Sequence, residues 1–185
     1  MLGDSNEPTA SLGITALESK FFIIMGVSGC GKTTVGRALS AKLDWEFYDG
    51  DNFHPPENIA KMAAGYPLDD ADRAPWLVNL HDLISSCLRA DRNGILACSA
   101  LKAAYRQVLL QGNPGVQVIY LKGNYDLILS RMTSRAGHYM KAEMLKSQFE
   151  TLEEPDNCLE VDISLPVDEI ISQILFHTRP MHDQQ

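Results

Sequence analysis

The stretch Phe21–Thr33, which reads FFIIMGVSGCGKT, decides the fold of this chain. Its first part, Phe21–Met25, is a continuous apolar run with the length and composition of a buried strand. The residues that follow, Gly26–Thr33, match the pattern G-x-x-x-x-G-K-S/T, and a helical pattern continues from Thr34 to Leu43. Strand, glycine-rich loop and helix in this order predict a phosphate-binding loop, called here the P-loop (residues 26–33).

The residue types of the P-loop fit the binding of phosphate groups. Glycines let successive backbone N–H groups turn inward, where a Cβ would obstruct them, and the helix N-terminus adds its positive dipole end. Lys32 would reach the β- and γ-phosphates, and the Thr33 hydroxyl would hold Mg²⁺. The alternative is a glycine-rich turn with an exposed lysine, which the flanking strand and helix disfavour. The expected nucleotide-binding residues are Gly26, Val27, Ser28, Gly29, Cys30, Gly31, Lys32, Thr33 and Thr34.

Beyond the P-loop, short apolar runs alternate with helical patterns. Helical stripes run from Trp76 to Leu88 and from Val167 to Leu175. This alternation predicts a three-layer α/β/α domain with a parallel sheet of about five strands. The further strand candidates are Trp45–Tyr48, Ile95–Cys98, Val116–Leu121 and Leu159–Val161.

Composition narrows the class of protein. A chain of 185 residues that is 45% hydrophobic and 22% charged fits one globular domain, expected over residues 20–178 between tails at 1–19 and 179–185. The net charge of −8 disfavours nucleic acid as a partner, and no apolar run reaches the ~20 residues of a membrane span. Four cysteines without a CxxC pair, and an N-terminal stretch unlike a signal peptide, predict a cytoplasmic protein with reduced thiols.

GTPase switches, ATPase motors and small-molecule kinases all use a P-loop. A guanine-reading Asn-Lys-x-Asp is missing from the sequence, and the D-x-x-G at Asp91–Gly94 precedes a strand instead of following one. The third predicted strand ends at Cys98–Ala100 without the carboxylate of a motor ATPase. These features favour a small-molecule kinase.

Asp49 and Asp51 close the second predicted strand, at the sheet edge that also carries the P-loop. With Gly50 allowing a tight bend, Asp49 could hold magnesium through water while Asp51 faces the acceptor hydroxyl as a base. The alternative is a solvated turn or a helix cap.

Two cations are candidates for binding an acidic acceptor. Arg73 lies in the first turn of a predicted long helix, beside acidic residues, where the positive end of the helix dipole disfavours a cation. This position suggests that Arg73 has another partner, and its planar guanidinium fits two oxygens of a carboxylate. Lys102 follows the third strand and would reach the same crevice. A salt bridge for Arg73 and a surface position for Lys102 are the alternatives.

Arg131 and Arg135 share one helix face ahead of Gly137 and His138, and a new helix is expected near Lys141. Paired arginines beside a glycine suggest a lid, about residues 131–142, that closes over the transferring phosphate. A solvated helix face is the alternative, and His54 and His138, taken singly, also fit structural or surface roles.

The chain resembles the gluconate kinases of the P-loop small-molecule kinase group from about Phe22 to Leu175. The family-specific likeness lies in blocks beyond the generic P-loop. They are Asp49–Pro55, Asn58–Met62, Pro67–Leu77, Cys98–Lys102 with Tyr105–Arg106, Arg135–Tyr139 and Gln148–Glu153.

The resemblance implies a nucleoside-monophosphate-kinase-like fold with a lid, and transfer of the ATP γ-phosphate to the 6-hydroxyl of D-gluconate for the pentose phosphate route. It further implies a homodimer, as is often found in the family. Lys32, with Arg131 or Arg135, would stabilise the moving phosphoryl group, and Asp51 would orient the hydroxyl. The residues implied to line the sugar-acid pocket are His54, Arg73, Lys102 and, within the Arg135–Tyr139 block, His138.

Two alternatives stay open on the residues alone: a kinase for a related hydroxy acid, such as another aldonate or shikimate, and an ATP-binding module without turnover. The sequence departs from many family members at Cys30, where Ser or Ala is usual, and at Ala103, where a second basic residue is usual.

Overall fold

The computed structural model describes residues 21–133 and 139–178, without the side chains of residues 139–141. The predicted tails, 1–19 and 179–185, lie outside these residues. The strands are β1 (Phe21–Met25), β2 (Glu46–Asp49), β3 (Gly94–Ala97), β4 (Val116–Lys122) and β5 (Leu159–Asp162). Each strand matches a predicted run to within one residue at either end.

Helices alternate with these strands. They are α1 (Lys32–Leu43), α2 (Pro56–Ala63), α3 (Asp70–Arg89), α4 (Ala103–Leu110), α5 (Tyr125–Thr133), α6 (Tyr139–Thr151) and α7 (Val167–Thr178). A short 3-10 helix, Gly50–Phe53, follows β2 directly. The helix expected near Lys141 begins at Tyr139.

The strands form one sheet in the order β2-β3-β1-β4-β5, and every neighbouring pair is parallel. β1 lies at the centre, paired with β3 through Phe21–Gly94 and with β4 through Phe21–Val116. All residues of β1 are buried, as expected for a strand covered on both faces. The predicted five-stranded parallel sheet is confirmed.

Alternate residues of β1 pack into two separate apolar clusters. Phe22 and Ile24 face α1, α5, α6 and α7, whereas Phe21, Ile23 and Met25 face α3 and α4. The predicted helical stripes supply both covers, since Leu80 and Ile84 on α3 and Ile174 on α7 are fully buried. The domain therefore has the predicted three layers.

The parallel arrangement gathers the carboxyl ends of β1, β2 and β3 at one edge of the sheet. The P-loop follows β1 there, the 3-10 helix follows β2, and the loop to α4 follows β3. Such an edge is where ligands bind in open α/β sheets. Within residues 21–133 and 139–178, no helix is both long enough and apolar enough to cross a bilayer.

Candidate active site

The P-loop adopts a backbone that its glycines permit. Gly26, Gly29 and Gly31 have φ angles of +140°, +83° and +106°, in the left-handed region. A Cβ on Gly26 would lie 2.9 Å from the carbonyl oxygen of Leu121 in β4, a backbone atom that cannot turn aside. Since α1 begins at Lys32, its N-terminal dipole points at the same loop.

Lys32 lies across the loop that precedes it. Its Nζ donates hydrogen bonds to the carbonyl oxygens of Gly26 and Val27, both at 2.9 Å. The ammonium group is thus held at the P-loop itself, where a phosphate-binding lysine acts.

A cavity of about 490 Å³ opens over the P-loop, and we call it the nucleotide cavity. Residues 28–34 line it, whereas Gly26 and Val27 are buried at the start of the loop. Asp49 and Asp51 line the same cavity. The structure thus brings the P-loop and both aspartates together. Apolar side chains form a further part of the wall, namely Ile163, Leu165, Val167 and Ile170.

The Asp49–Asp51 segment turns by a 3-10 helix. Asp49 Oδ1 accepts a hydrogen bond from the Asp51 N–H at 3.2 Å, so Asp49 caps this helix as well as facing the cavity. The φ angle of Gly50 is not left-handed; glycine is required because a Cβ would lie 2.8 Å from the Ala97 carbonyl oxygen. Trp76 Nε1 donates to the Gly50 carbonyl oxygen at 2.8 Å and fixes the turn.

Thr33 and Asp49, the predicted metal residues, both line the nucleotide cavity. Over the described part of the chain, no cluster of three or more His, Cys, Asp or Glu side chains could hold a metal alone. Mg²⁺ is usually bound by one or two oxygen ligands together with waters and substrate phosphates, so a hydroxyl and a carboxylate beside a phosphate loop fit it.

A second cavity, of about 630 Å³, adjoins the first, and we call it the acceptor cavity. Lys102 Nζ donates to both carboxylate oxygens of Asp70, at 2.7 and 2.8 Å, and the Tyr105 hydroxyl donates to the same carboxylate. These hydrogen bonds hold the pKa of Asp70 below its ordinary value, and Asp70 raises the pKa of Lys102. Burial raises the pKa of Tyr105.

Arg73 also lines the acceptor cavity. Its Nη1 donates to the Tyr105 hydroxyl at 3.4 Å, and its guanidinium lies 6.0 Å from the centre of that ring. The nearby acids Asp69 and Asp72 are engaged in a reciprocal capping box at the start of α3. Among the described residues, Arg73 forms no direct ion pair with a carboxylate, although its charge contributes to lowering the pKa of the neighbouring Asp70.

His54 lines neither cavity. Its ring stacks on Trp76 at 4.5 Å between centroids, and its Nδ1 lies 3.4 Å from Asn58 Nδ2. Burial lowers the pKa of His54, and the charge of Arg73 lowers it further, against an opposing contribution from Asp51. Because Trp76 lines the acceptor cavity, His54 lies behind the indole and not at the cavity surface, contrary to the role implied for it by the resemblance.

Arg131 lines the nucleotide cavity, and its Nη2 donates to the Ile163 carbonyl oxygen at 2.7 Å. Arg135 and His138 lie outside the described residues, as does the middle of the predicted lid. The shared helix face of Arg131 and Arg135 therefore stays a prediction.

Two residues that line both cavities, Ser99 and Gln148, were given no role from the sequence. Gln148 Oε1 accepts a hydrogen bond from the Ser28 N–H, in the P-loop, at 2.6 Å. Gln148 belongs to a block that resembles the gluconate kinases, but helical spacing alone does not distinguish it from other polar residues of α6.

Arg106 is a third residue for which the sequence predicts no role. It is buried, and its Nη1 donates to the carbonyl oxygens of Ala100 and Leu101 at 2.9 and 3.0 Å. Ala100 has a φ of +44°, an unusual value for a residue with a Cβ. Arg106 therefore holds the strained loop that presents Ser99 and Lys102 to the cavities.

The chain matches a family model described as shikimate kinase over residues 28–172. It is 42% identical over 168 residues to the thermoresistant gluconokinase of Escherichia coli K12, covering 89% of this chain and 96% of that protein.

Solved structures agree with the sequence relatives. A gluconokinase from Sinorhizobium meliloti superposes with a TM-score of 0.78 at 38% identity, covering 87% of this chain and 92% of that one. A shikimate kinase from Aquifex aeolicus shares the fold alone, with a TM-score of 0.56 at 16% identity over 85% of this chain and 94% of that one. The chain is therefore a small-molecule P-loop kinase with a nucleoside-monophosphate-kinase-like fold. It belongs to the gluconokinase family.

Proposed function

We propose that this protein transfers the γ-phosphoryl group of ATP to the 6-hydroxyl of D-gluconate, giving 6-phospho-D-gluconate and ADP. The observation that carries the proposal is the junction of two cavities at Ser99 and Gln148. One cavity contains a phosphate loop and two carboxylates, and the other contains Arg73 and Lys102, as an acidic polyol requires. The gluconokinase relatives support the same acceptor.

ATP occupies the nucleotide cavity in this proposal. Backbone N–H groups of the P-loop bind the phosphates, and Lys32 neutralises charge on the β- and γ-phosphates. Thr33 would hold Mg²⁺ directly and Asp49 through water, and the ion would supply charge neutralisation at the phosphates. The apolar wall at Ile163 and Leu165 suits the flat face of the nucleobase.

Gluconate occupies the acceptor cavity. Its carboxylate pairs with the Arg73 guanidinium, whose fork matches two carboxylate oxygens, and with Lys102. Its far end, which carries the 6-hydroxyl, points to the junction and to Asp51. Asp51 orients this hydroxyl and accepts its proton as the phosphoryl group arrives.

Arginine is the expected further cation of the site. Arg131, which lines the nucleotide cavity, or Arg135 would stabilise the charge on the transferring group, as an arginine does in related phosphoryl transfers. His138 would join the acceptor contacts, and His54 would support them through Trp76.

The test is ADP release with a panel of acceptors: D-gluconate, two other aldonates, shikimate, and no acceptor. We expect turnover with gluconate, and a phosphate monoester at C6 by ³¹P–¹H correlation. Preferred turnover of shikimate, which the name of the matching family model makes the rival acceptor, would overturn the assignment. ATP binding without acceptor-dependent turnover would support a non-catalytic module.

Asp51→Asn tests the base within the same assay. The amide cannot take the hydroxyl proton, so kcat should fall about 10²- to 10⁴-fold while nucleotide affinity persists. Asp82→Asn, an exposed carboxylate of α3 that lines neither cavity, is the control. Full activity of Asp51→Asn would remove the base from the mechanism.

We also propose that the protein acts in the cytoplasm as a homodimer, at the entry of gluconate to the pentose phosphate route. Four free cysteines support a reducing compartment. Exposed apolar side chains on and after α2, at Ile59, Met62 and Tyr66, supply a surface that a second copy could cover. Sedimentation equilibrium measures the oligomeric state.

A further inference from the structure

Gln148 lies where the two cavities meet, and its side chain is hydrogen-bonded to a backbone N–H group of the P-loop. The Ser28 N–H donates to Gln148 Oε1 at 2.6 Å, and only the amide oxygen can accept from that donor. Ser28 lies in the P-loop, whose N–H groups turn toward phosphate in this class of loop. The carboxamide oxygen therefore lies where a phosphate oxygen would accept from the Ser28 N–H.

The helix that carries Gln148 is tied to the acceptor side of the site. Just beyond α6, the Glu153 N–H donates to the Leu101 carbonyl oxygen at 2.9 Å. The Glu153 Oε2 accepts from the Ala103 N–H at 2.6 Å. These contacts fix the end of α6 to the residues on both sides of Lys102. Gln148 thus extends from a helix anchored at the acceptor cavity to the P-loop.

We propose that Gln148 is a positioning residue that exchanges partners when ATP binds. The nucleotide takes the Ser28 N–H, and the released carboxamide turns to the acceptor cavity, which it already lines. There it hydrogen-bonds a hydroxyl of the acceptor and holds the chain of the polyol toward the γ-phosphate. The acceptor half of this inference rests on the function proposed above.

Charge decides the direction of the exchange. The carboxamide is neutral, whereas the phosphate oxygens are anionic and make the stronger hydrogen bonds to N–H groups. ATP therefore displaces Gln148, at the cost of one neutral hydrogen bond. Because the freed side chain is then available to the acceptor, nucleotide and acceptor should favour each other's binding.

The experiment measures binding of the non-hydrolysable analogue AMPPNP, with Mg²⁺, by titration calorimetry. Gln148→Met keeps the length of the side chain and removes the competing oxygen, so AMPPNP should bind about fivefold more tightly. Gln148→Glu keeps the accepting oxygen and adds a negative charge beside the P-loop, so AMPPNP should bind several-fold more weakly. Lys146→Ala is the control, since Lys146 is exposed on the same helix and lines neither cavity.

A second arm measures D-gluconate affinity with and without saturating AMPPNP. In the wild-type protein AMPPNP should tighten gluconate binding about fivefold or more, and Gln148→Met should abolish this coupling. In turnover, Gln148→Met should raise the KM for gluconate more than it lowers kcat.

Weaker AMPPNP binding by both Gln148 variants would mean a merely structural residue and would overturn the proposal. Unchanged coupling in Gln148→Met would overturn the acceptor half. A wild-type protein that does not phosphorylate gluconate defeats the proposed function instead, and the AMPPNP arm then decides alone whether Gln148 competes for the P-loop.

Discussion

The nucleotide cavity and the acceptor cavity are built by different means. One wall of the first is the backbone of the P-loop, in which three glycines have left-handed φ angles, and side chains from other elements complete it. The second is lined by side chains of α3, α4, α6 and the loop between β3 and α4, where Asp70, Lys102 and Tyr105 bind one another. Backbone sites are sensitive to an added Cβ, whereas side-chain sites are sensitive to the loss of a charge.

The largest effect is expected at Lys32, the cation that the P-loop itself carries into the nucleotide cavity. Lys32→Ala should lower kcat by about 10² or more, because the positive group next to the transferred phosphoryl is lost. Steady-state ADP release measures it, with Lys42→Ala, an exposed lysine at the end of the same helix, as the control. A variant with wild-type kcat would exclude Lys32 from the chemistry.

The next effect concerns the backbone of the P-loop. Gly26→Ala combines a left-handed φ with a Cβ placed 2.9 Å from the Leu121 carbonyl oxygen, so the free energy of unfolding should fall by about 3 kcal/mol. Gly65 also has a positive φ, of +83°, but an added Cβ there would have no heavy atom within 4 Å, so Gly65→Ala should lose only about 1 kcal/mol. Urea denaturation compares the two, and equal losses would show that the contact with β4 is unimportant.

In the acceptor cavity, Arg73→Ala should raise the KM for gluconate about tenfold to a hundredfold, with little change in kcat. The reason is the loss of a charged partner for the carboxylate, which is bound equally before and during transfer. Arg89→Ala, on an exposed turn of the same helix, is the control. An unaltered KM would return Arg73 to a structural role beside Tyr105.

The smallest effect is a pH dependence of stability at His54. Burial keeps the folded-state pKa of His54 below the value of 6.5 for an unperturbed histidine. As the pH falls below 6.5, the unfolded chain therefore binds the proton more readily and stability is lost. His54→Gln should remove this part of the loss, measured as the difference between wild-type and variant unfolding free energies from pH 7.5 to 5. A constant difference would mean that His54 titrates alike in both states.

The same contrast explains what the sequence could predict. The five strands, the P-loop and the positions of Asp49 and Asp51 at the sheet edge follow from local patterns: an apolar run, a spaced glycine motif and a parallel connection. The residues that form each of these patterns lie close together in the chain, so the sequence alone predicts the features.

The pairings of the acceptor cavity join residues that are distant in the chain, and no local pattern encodes them. Lys102 meets Asp70 across 32 residues, and Gln148 meets Ser28 across 120 residues. At Gly50 the sequence predicts the bend correctly but not the reason for glycine. Glycine is needed there because a Cβ would clash with the Ala97 carbonyl oxygen of another strand. Tertiary packing sets such requirements.

Cys30 gives the P-loop a further property. Its thiol is buried, and burial raises its pKa above the ordinary cysteine value, even though the charge of Lys32 opposes that shift. Little of the reactive thiolate is therefore present at neutral pH, and electrophiles have poor access to the sulfur. Cys98, whose pKa burial raises to about 12, is protected in the same way. Burial also raises the pKa of Cys158, but this thiol is only half-buried, so mild alkylation or peroxide should modify Cys158 first and leave phosphate binding intact.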